Sequence, residues 1–336
     1  MDRKTLKKLP KVELHCHLDG SVPMDVLMEL AEEKGIPKDI MKNAIAPEDC
    51  EDLKDYLSCF EVILSVLQTK ESLEKATYAV IREAHEENVK YLELRFGPLL
   101  HQAEGLTTED TIKAVSRGIK KGTDDFPIAV NLLVCALRHH SEEENSQLFR
   151  EVSESSAGFV AGIDVAGDEA HYPNECVASA VTEAKKNGFQ MTIHSGECGC
   201  ANNVLTAMHL GAKRIGHGVA VKDAPAAMQK VKANNVLLEL CPTSNIQTRA
   251  VSGWDVYPLR QFLNEGVAVS ISTDNRTVSN TTLTDEFMHC VNHCDVTHQE
   301  IKEMNVAAIT HSFANDVTKQ AVINDIEKQF ELSTTY

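Results

Sequence analysis

The sequence predicts a (β/α)8 barrel, on three observations. Eight short β-type runs recur along 336 residues, each separated from the next by helix-type sequence. Most of the runs are continuously apolar, as parallel strands covered on both faces require. Polar residues able to do chemistry gather where four of the runs end. A doubly wound open sheet is the alternative α/β arrangement, but the chain has no GxGxxG or GxxxxGK(S/T) loop to support it.

In order, the runs are VELHCHL (12–18), YLELRF (91–96), IAVNLLVCAL (128–137), FVAGIDVA (159–166), QMTIHS (190–195), RIGH (214–217), VLLELC (236–241) and AVSIST (268–273). Among the helices between them, PNECVASAVTEAKKNG (173–188) has a glycine stop. DEFMHCVNHC (285–294) begins within TLTDEF, whose threonine and aspartate suit an N-cap. The first connection is unusually long and predicts helices at 24–34, 52–68 and 71–88. Such a segment at a barrel mouth is a candidate substrate lid, here about residues 20–89. No repeat, low-complexity tract or linker divides the chain, so residues 1–336 are expected to form one barrel domain.

Composition narrows the function. Hydrophobic residues make up 43%, enough for a substantial interior. With 33 basic and 50 acidic residues the net charge is −17, which repels a phosphate backbone, so nucleic acid is not an expected partner. No run of eighteen apolar residues suggests a membrane span, and MDRKTLKKLPKVELH lacks the apolar core of a signal peptide. The ten cysteines are scattered, with Cys16, Cys59, Cys135 and Cys241 inside apolar runs. That pattern fits buried, reduced thiols in a cytoplasmic protein.

The chemistry begins at HCHLDG (15–20). Alternate strand residues share a face, so His15 and His17 point one way and Cys16 the other. Two histidines alone do not make a site. Three more motifs join them: IHSGE ends the fifth run with His194 and Glu197, GHG ends the sixth with His217, and STDN ends the eighth with Asp274 and Asn275. Residues at the C-terminal ends of barrel strands point into the mouth, and so many polar groups would be costly as core filling. Nitrogen and carboxylate ligands suit zinc, which lowers the pKa of water from ~15.7 toward ~7. His15, His17, His194 and Asp274 are the expected ligands. Glu197, three residues past His194, is placed to donate a proton, and His217 to orient the attacking water and help deprotonate it.

Other polar residues read more plainly. His139 and His140 precede SEEEN and look like a solvated loop, while His289, His293 and His311 fall in helical patterns that suit packing or surface roles. Cys198 and Cys200 read as loop residues. Asp168 and Glu169 in AGDE either support the site or cap the following helix.

Together these motifs resemble the adenosine deaminase family of the zinc amidohydrolase superfamily. VELHCHLDGSV, DVAGDE, HSGE, RIGHG, LCPTSN and STDN occur in the family's order across residues 12–280. The resemblance implies zinc held by His15, His17, His194 and Asp274, protonation of purine N1 by Glu197, and His217 beside the attacking water, with Asp274 also a catalytic residue and His17 also a substrate-binding one. It further implies that Asp19 binds the ribose 5′-hydroxyl, that Gly167 offers a backbone N–H to the ring, and that Leu57 and Phe60 form an apolar lip. Asp19 continues the alternation of His15 and His17; its bland alternative is a cap for the helix beginning near Pro23. Asn275 departs from the best-known relatives, which carry an aspartate there; an amide donates to purine N7 at any pH. The implied activity is hydrolytic deamination of adenosine, and of 2′-deoxyadenosine, to inosine and ammonia in purine salvage. A sister enzyme acting on adenine, a methylated AMP or another 6-aminopurine is the nearest rival, and the aspartate of HLDGS favours the nucleoside. A barrel that only binds metal would need neither Glu197 nor His217. The HxE and PCxxC arrangement of cytidine-type deaminases is absent.

Overall fold

The computed structural model describes residues 1–333. Its strands are β1 (Lys11–His17), β2 (Val89–Phe96), β3 (Ala129–Leu137), β4 (Val160–Ala166), β5 (Gln190–Ser195), β6 (Arg214–His217), β7 (Leu237–Leu240) and β8 (Val269–Ile271). They pair in chain order, every pair parallel, as the apolar runs predict. Two backbone bonds close the ring between β8 and β1. His17 N–H donates to Asp274 O (2.7 Å), and Asp274 N–H donates to His15 O (2.9 Å). This seam brings Asp274 to the HCH motif before any side chain is considered.

The barrel interior is not purely aliphatic. Glu93, Arg95, Asp164, Arg214 and Glu239 point from four strands into a fully buried charge network. Arg95 donates to Asp164 (2.8 Å) and to Glu239 (2.9 Å), while Arg214 donates to the other oxygen of Glu239 (2.7 Å) and pairs with Glu93. Buried charges persist only when paired in this way, because an unpaired one costs several kcal/mol. Below the network, on the far side of the barrel, the helix His298–His311 helps to close the fold. Its Asn305 side chain accepts from Val12 N–H at 2.8 Å.

The first connection forms the expected helical lid, with helices at Met24–Glu33, Leu53–Ser58, Phe60–Val66 and Lys70–Glu86. The predicted helix over 52–68 is interrupted at Cys59. Ser58 Oγ donates back to Asp55 O at 2.6 Å, the kind of local side-chain bond that competes with the helical ladder. The last predicted helix runs Leu283–Cys294, capped by Thr282, whose side chain accepts from Asp285 N–H. HLDGS differs from the reading of continued alternation. β1 ends at His17, and Leu18–Ser21 coils into one helical turn, so Asp19 leaves from a turn and not from the strand. Nor does Asp19 cap the next helix, whose N-cap is Pro23 with no side-chain bond.

All ten cysteines carry free thiols; seven are buried, while Cys176 and Cys198 are exposed and Cys200 is half-buried. His289 and His293 stack on Trp254, with ring centroids 4.8 Å apart in each case, as residues in packing roles do. Among the described residues, no helix is long and apolar enough to cross a membrane.

Candidate metal centre and substrate pocket

The strand ends deliver their polar side chains to one buried point. His17 Nε2 lies 3.3 Å from His15 Nε2, 3.2 Å from His194 Nε2 and 3.4 Å from Asp274 Oδ1. His15 Nε2 is 3.2 Å from the same carboxylate oxygen. Four groups with no room for water between them would repel or waste their lone pairs unless a cation joined them. A tetrahedral ion with ligands at ~2.0–2.1 Å holds them ~3.3–3.4 Å apart, so these separations match zinc's dimensions. His217 also lies within reach of an ion shared with His15, His194 and Asp274.

His15, His194, Asp274 and His217 are each held from behind. His15 Nδ1 pairs with Glu239 at 3.0 Å and His194 Nδ1 with Asp164 at 3.0 Å, carboxylates that the buried arginine already anchors. The far nitrogen of each ring is thereby fixed and Nε2 is left for the metal point. Ser244 donates to Asp274 Oδ2 at 2.7 Å. Tyr257 donates to Asn245 Oδ1 (3.1 Å), which turns the Asn245 amide nitrogen to His217 Nδ1 at 3.0 Å. Nδ1 then accepts, and the neutral ring carries its hydrogen on Nε2, 3.7 Å from Glu197.

Backbone geometry carries further signs of a site under constraint. His217 and Asp274 adopt φ of 63° and 62°, a left-handed conformation that costs non-glycine residues energy and clusters at functional positions. Gly216 sits between them and the metal point: a Cβ there would lie 3.0 Å from His15 Cε1 and 3.1 Å from His194 Cα. Glycine is what lets the rings approach.

Burial sets the protonation states of His17 and His194. It pushes the His17 imidazole down to about 3 and the His194 imidazole down to about 4, with the neighbouring carboxylates Asp274 and Asp164 only partly opposing it. Neutral imidazoles are the form that binds metal. Burial pushes the Glu197 carboxyl upward; His217 would oppose this only as an imidazolium, and the negative charges of Asp274 and Glu169 reinforce it. A carboxyl shifted that way keeps its proton nearer neutrality, as a proton donor must.

Over the metal point opens a cavity of about 210 Å³. His17, Asp19, Gly167, His194, Glu197, His217, Asp274 and Asn275 all line it, so the pocket gathers most of the residues singled out from sequence. His15 lies beneath them, fully buried. From the lid come Leu53, Tyr56, Leu57, Phe60 and Leu64, which puts the expected Leu57 and Phe60 at its wall. His139 is exposed in a loop, as expected, and it also lines the cavity, because β3 runs on to Leu137 and delivers its trailing loop to the mouth. Asp19 Oδ1 and Asn275 Oδ1 are buried and have no partner in the protein. Asn275 is held by contact with Gly20, where any Cβ would fall 1.9 Å from its Oδ1.

Sequence reading missed the residues behind the site. Asp164, Glu239, Ser244, Asn245 and Arg95 were not singled out, although an acid inside an apolar parallel strand (IDVA, LLEL) was a visible signal. The alternatives for AGDE resolve separately. Asp168 caps its own turn, accepting from Ala170 and His171 N–H, and Glu169 turns inward to the loop that carries Glu197.

A (β/α)8 barrel with a histidine–aspartate cluster at the C-terminal mouth and a buried acid facing it defines the class: a metal-dependent hydrolase of the amidohydrolase type. Comparison with known proteins narrows the class. The profile of the family described as Adenosine deaminase matches residues 10–329. The adenosine deaminase of Enterococcus faecalis is 39% identical over 98% of this chain and 99% of its own length. That of Vibrio vulnificus is 39% identical over 94% of this chain and 98% of its own. Among solved structures, an adenine deaminase from Arthrobacter aurescens superposes with a TM-score of 0.89 at 25% identity, covering 96% of this chain and 99% of that one. The N6-methyl-AMP deaminase of Arabidopsis thaliana superposes with a TM-score of 0.87 at 27% identity, covering 97% and 98%. The chain belongs to the adenosine deaminase family and is a hydrolytic deaminase.

Proposed function

We propose that the pocket deaminates adenosine, and 2′-deoxyadenosine, to inosine and ammonia, with one zinc ion per chain held by His15, His17, His194 and Asp274. The observation that carries the reading is the set of 3.2–3.4 Å separations among those four groups, facing a buried carboxyl three residues past a ligand. Zinc's contribution is to make hydroxide available near neutral pH. The protein's own groups do the rest. C6 of adenine is a poor electrophile because the ring is aromatic. Glu197 donates its proton to N1 and drains electron density from C6, so that water can add there and ammonia can leave. His217 orients that water. The Asn245 contact favours this role over accepting a proton, since a neutral ring with hydrogen on Nε2 has no lone pair there.

Asn275 and Gly167 are assigned to the ring, at N7 and through the backbone N–H. Asp19 is assigned to the ribose 5′-hydroxyl, and its buried, unpartnered Oδ1 supports this. The same pocket wall argues for a nucleoside over a nucleotide. Its described lining holds Asp19, Glu197 and Asp274 but no lysine or arginine, so a 5′-phosphate would meet negative charge. Adenine, the substrate in one neighbour's name, would leave Asp19 unsatisfied. Action as one domain, a cytoplasmic setting and a place in purine salvage complete the proposal.

Two measurements test it. An ultraviolet assay against adenosine, deoxyadenosine, adenine and AMP should show the hypoxanthine chromophore forming fastest from the two nucleosides. Faster turnover of adenine or AMP would replace the substrate assignment. Glu197→Gln should keep its metal but turn over at least ~100-fold more slowly, the low end for general acid catalysis. Near-normal kcat in that variant would mean the proton comes from elsewhere.

A further inference from the structure

The loop Gly196–Cys200 that carries Glu197 has no regular structure, yet three of its consecutive backbone N–H groups converge on one side chain. Gly196 N–H donates to Glu169 Oε1 at 2.7 Å, while Glu197 N–H and Cys198 N–H donate to Oε2 at 2.9 and 3.2 Å. Glu169 is 2% exposed and comes from the loop after β4, so the bonds tie one strand end to the next. Successive N–H groups arranged in this way form a concave anion site, and here the anion is a carboxylate of the protein itself.

The neighbouring strand end is tied across the same gap. Arg138, at the end of β3, donates to His194 O and to Asn174 Oδ1, both at 2.6 Å, and Asn174 donates to Ser195 Oγ at 3.1 Å. These contacts fix the strand up to Ser195. Beyond it, Ala220 N–H donates to Gly196 O at 3.0 Å and Asn203 Nδ2 to Cys198 Sγ at 3.7 Å, while all three backbone N–H groups from Gly196 to Cys198 are held by Glu169. The peptide from which the Glu197 side chain leaves is thus held, at its own N–H and at the N–H groups on either side, by Glu169.

We infer that Glu169 is a positioning residue for the proton transfer, holding the Gly196–Cys198 backbone so that the Glu197 carboxyl faces the substrate ring above the metal point. Both of its oxygens are engaged. A glutamine at this position would turn an NH2 toward at least one backbone N–H, donor against donor, and the loop would have to move. Misplacement of a reacting group by about 1 Å costs on the order of 100-fold in rate. Asp168 beside it has no such role, since its carboxylate serves Ala170 and His171 within its own turn.

The inference rests on Glu197 as proton donor, so the test is a cycle that separates the two ideas. Wild type, Glu169→Gln, Glu197→Gln and the double variant are compared for metal content, melting temperature, and kcat and KM with adenosine. Glu169→Gln should retain its metal, lower kcat by about 10- to 100-fold, and shift KM less than threefold. Added to Glu197→Gln it should change kcat less than twofold, because a residue that acts only by aiming Glu197 has nothing left to aim. Losses that multiply in the double variant would show a general structural role and overturn the inference. So would a Glu169→Gln variant within twofold of wild type. A normal kcat for Glu197→Gln would remove the proton-donor reading itself, whatever Glu169→Gln does. If Glu169→Gln fails to fold, Glu169→Asp keeps the charge on a shorter arm and enters the same cycle with the same two criteria.

Discussion

At the floor of the pocket three of the four metal-facing groups, His15, His194 and Asp274, have a second partner behind them; at the lid, Leu53, Leu57, Phe60 and Leu64 offer only apolar surface. His15 rests on Glu239, His194 on Asp164, Asp274 on Ser244, and the two carboxylates share Arg95. Leu57 is 37% exposed, and the lid helix beneath it is interrupted at Cys59. The floor must hold atoms to within a fraction of an ångström, so its geometry is over-determined by directional bonds. The lid has to admit a substrate and exclude water, which non-directional apolar contact does without fixing one arrangement. Perturbations should therefore be severe and specific at the floor, mild and graded at the lid.

The largest effect is expected where the floor has no redundancy. His15→Ala or His17→Ala should remove both the metal, about one per chain in the wild type, and the activity. Elemental analysis beside the rate decides this; full activity in a metal-free preparation would sink the assignment.

A second break of the floor works through pH. Glu286 accepts from Thr243 N–H (3.0 Å) and Thr281 Oγ1 (2.7 Å), and so supports the turn carrying Ser244 and Asn245. Burial lifts its carboxyl from the usual 4.5 to about 7. A carboxyl raised in the fold favours the folded state most below its unfolded value, and that contribution is lost as pH rises through the folded one. Between pH 4.5 and above 7 the loss is ~3 kcal/mol. Glu286→Gln should flatten that slope in denaturant titrations at several pH values. An unchanged slope would assign the pH dependence to other groups.

The contrast also explains what was legible in the sequence. Strand ends were readable because His194, Glu197, His217 and Asp274 each stand where an apolar run stops. Even the boundaries of β5 and β6 match the runs 190–195 and 214–217. What lies behind the floor was not, because Asp164 pairs with His194 across 30 residues and Glu239 with His15 across 224; only closure of the barrel makes them neighbours. Alternation misplaced Asp19 because a strand's period says nothing about where the strand stops, and the Leu18–Ser21 turn begins one residue after His17. His139 was read from its polar neighbours, which describe the loop's solvent face and not the cavity beside it.

Asp19 stands between floor and lid and should give an intermediate effect. Asp19→Ala removes a charge-assisted contact worth roughly 1.5–3 kcal/mol, so kcat/KM for adenosine should fall about 10- to 150-fold at little change in melting temperature. 5′-Deoxyadenosine is the control substrate. Equal penalties on the two substrates would mean that the 5′-hydroxyl is not what Asp19 recognises.

The smallest effect is expected at the lip. Leu57 already meets water over more than a third of its surface, so truncating it leaves no sealed cavity and should change stability by under about 0.5 kcal/mol. What it loses is apolar area over the bound nucleoside, about two or three methylene-sized contacts at ~0.8 kcal/mol when fully buried and less here. That area touches ground state and transition state alike, so Leu57→Ala should raise KM a few-fold and leave kcat within twofold. A matching fall in kcat would change the picture. It would mean that the lip positions the ring for attack, and that the lid shares the directional role assigned here to the floor. Tyr56 offers the internal reference, since it sits on the same helix but is 1% exposed and bonded to Ser279 at 2.7 Å. Tyr56→Phe leaves the Ser279 hydroxyl without that partner, so its cost should appear first in stability and only secondarily in KM, the reverse of the pattern for Leu57.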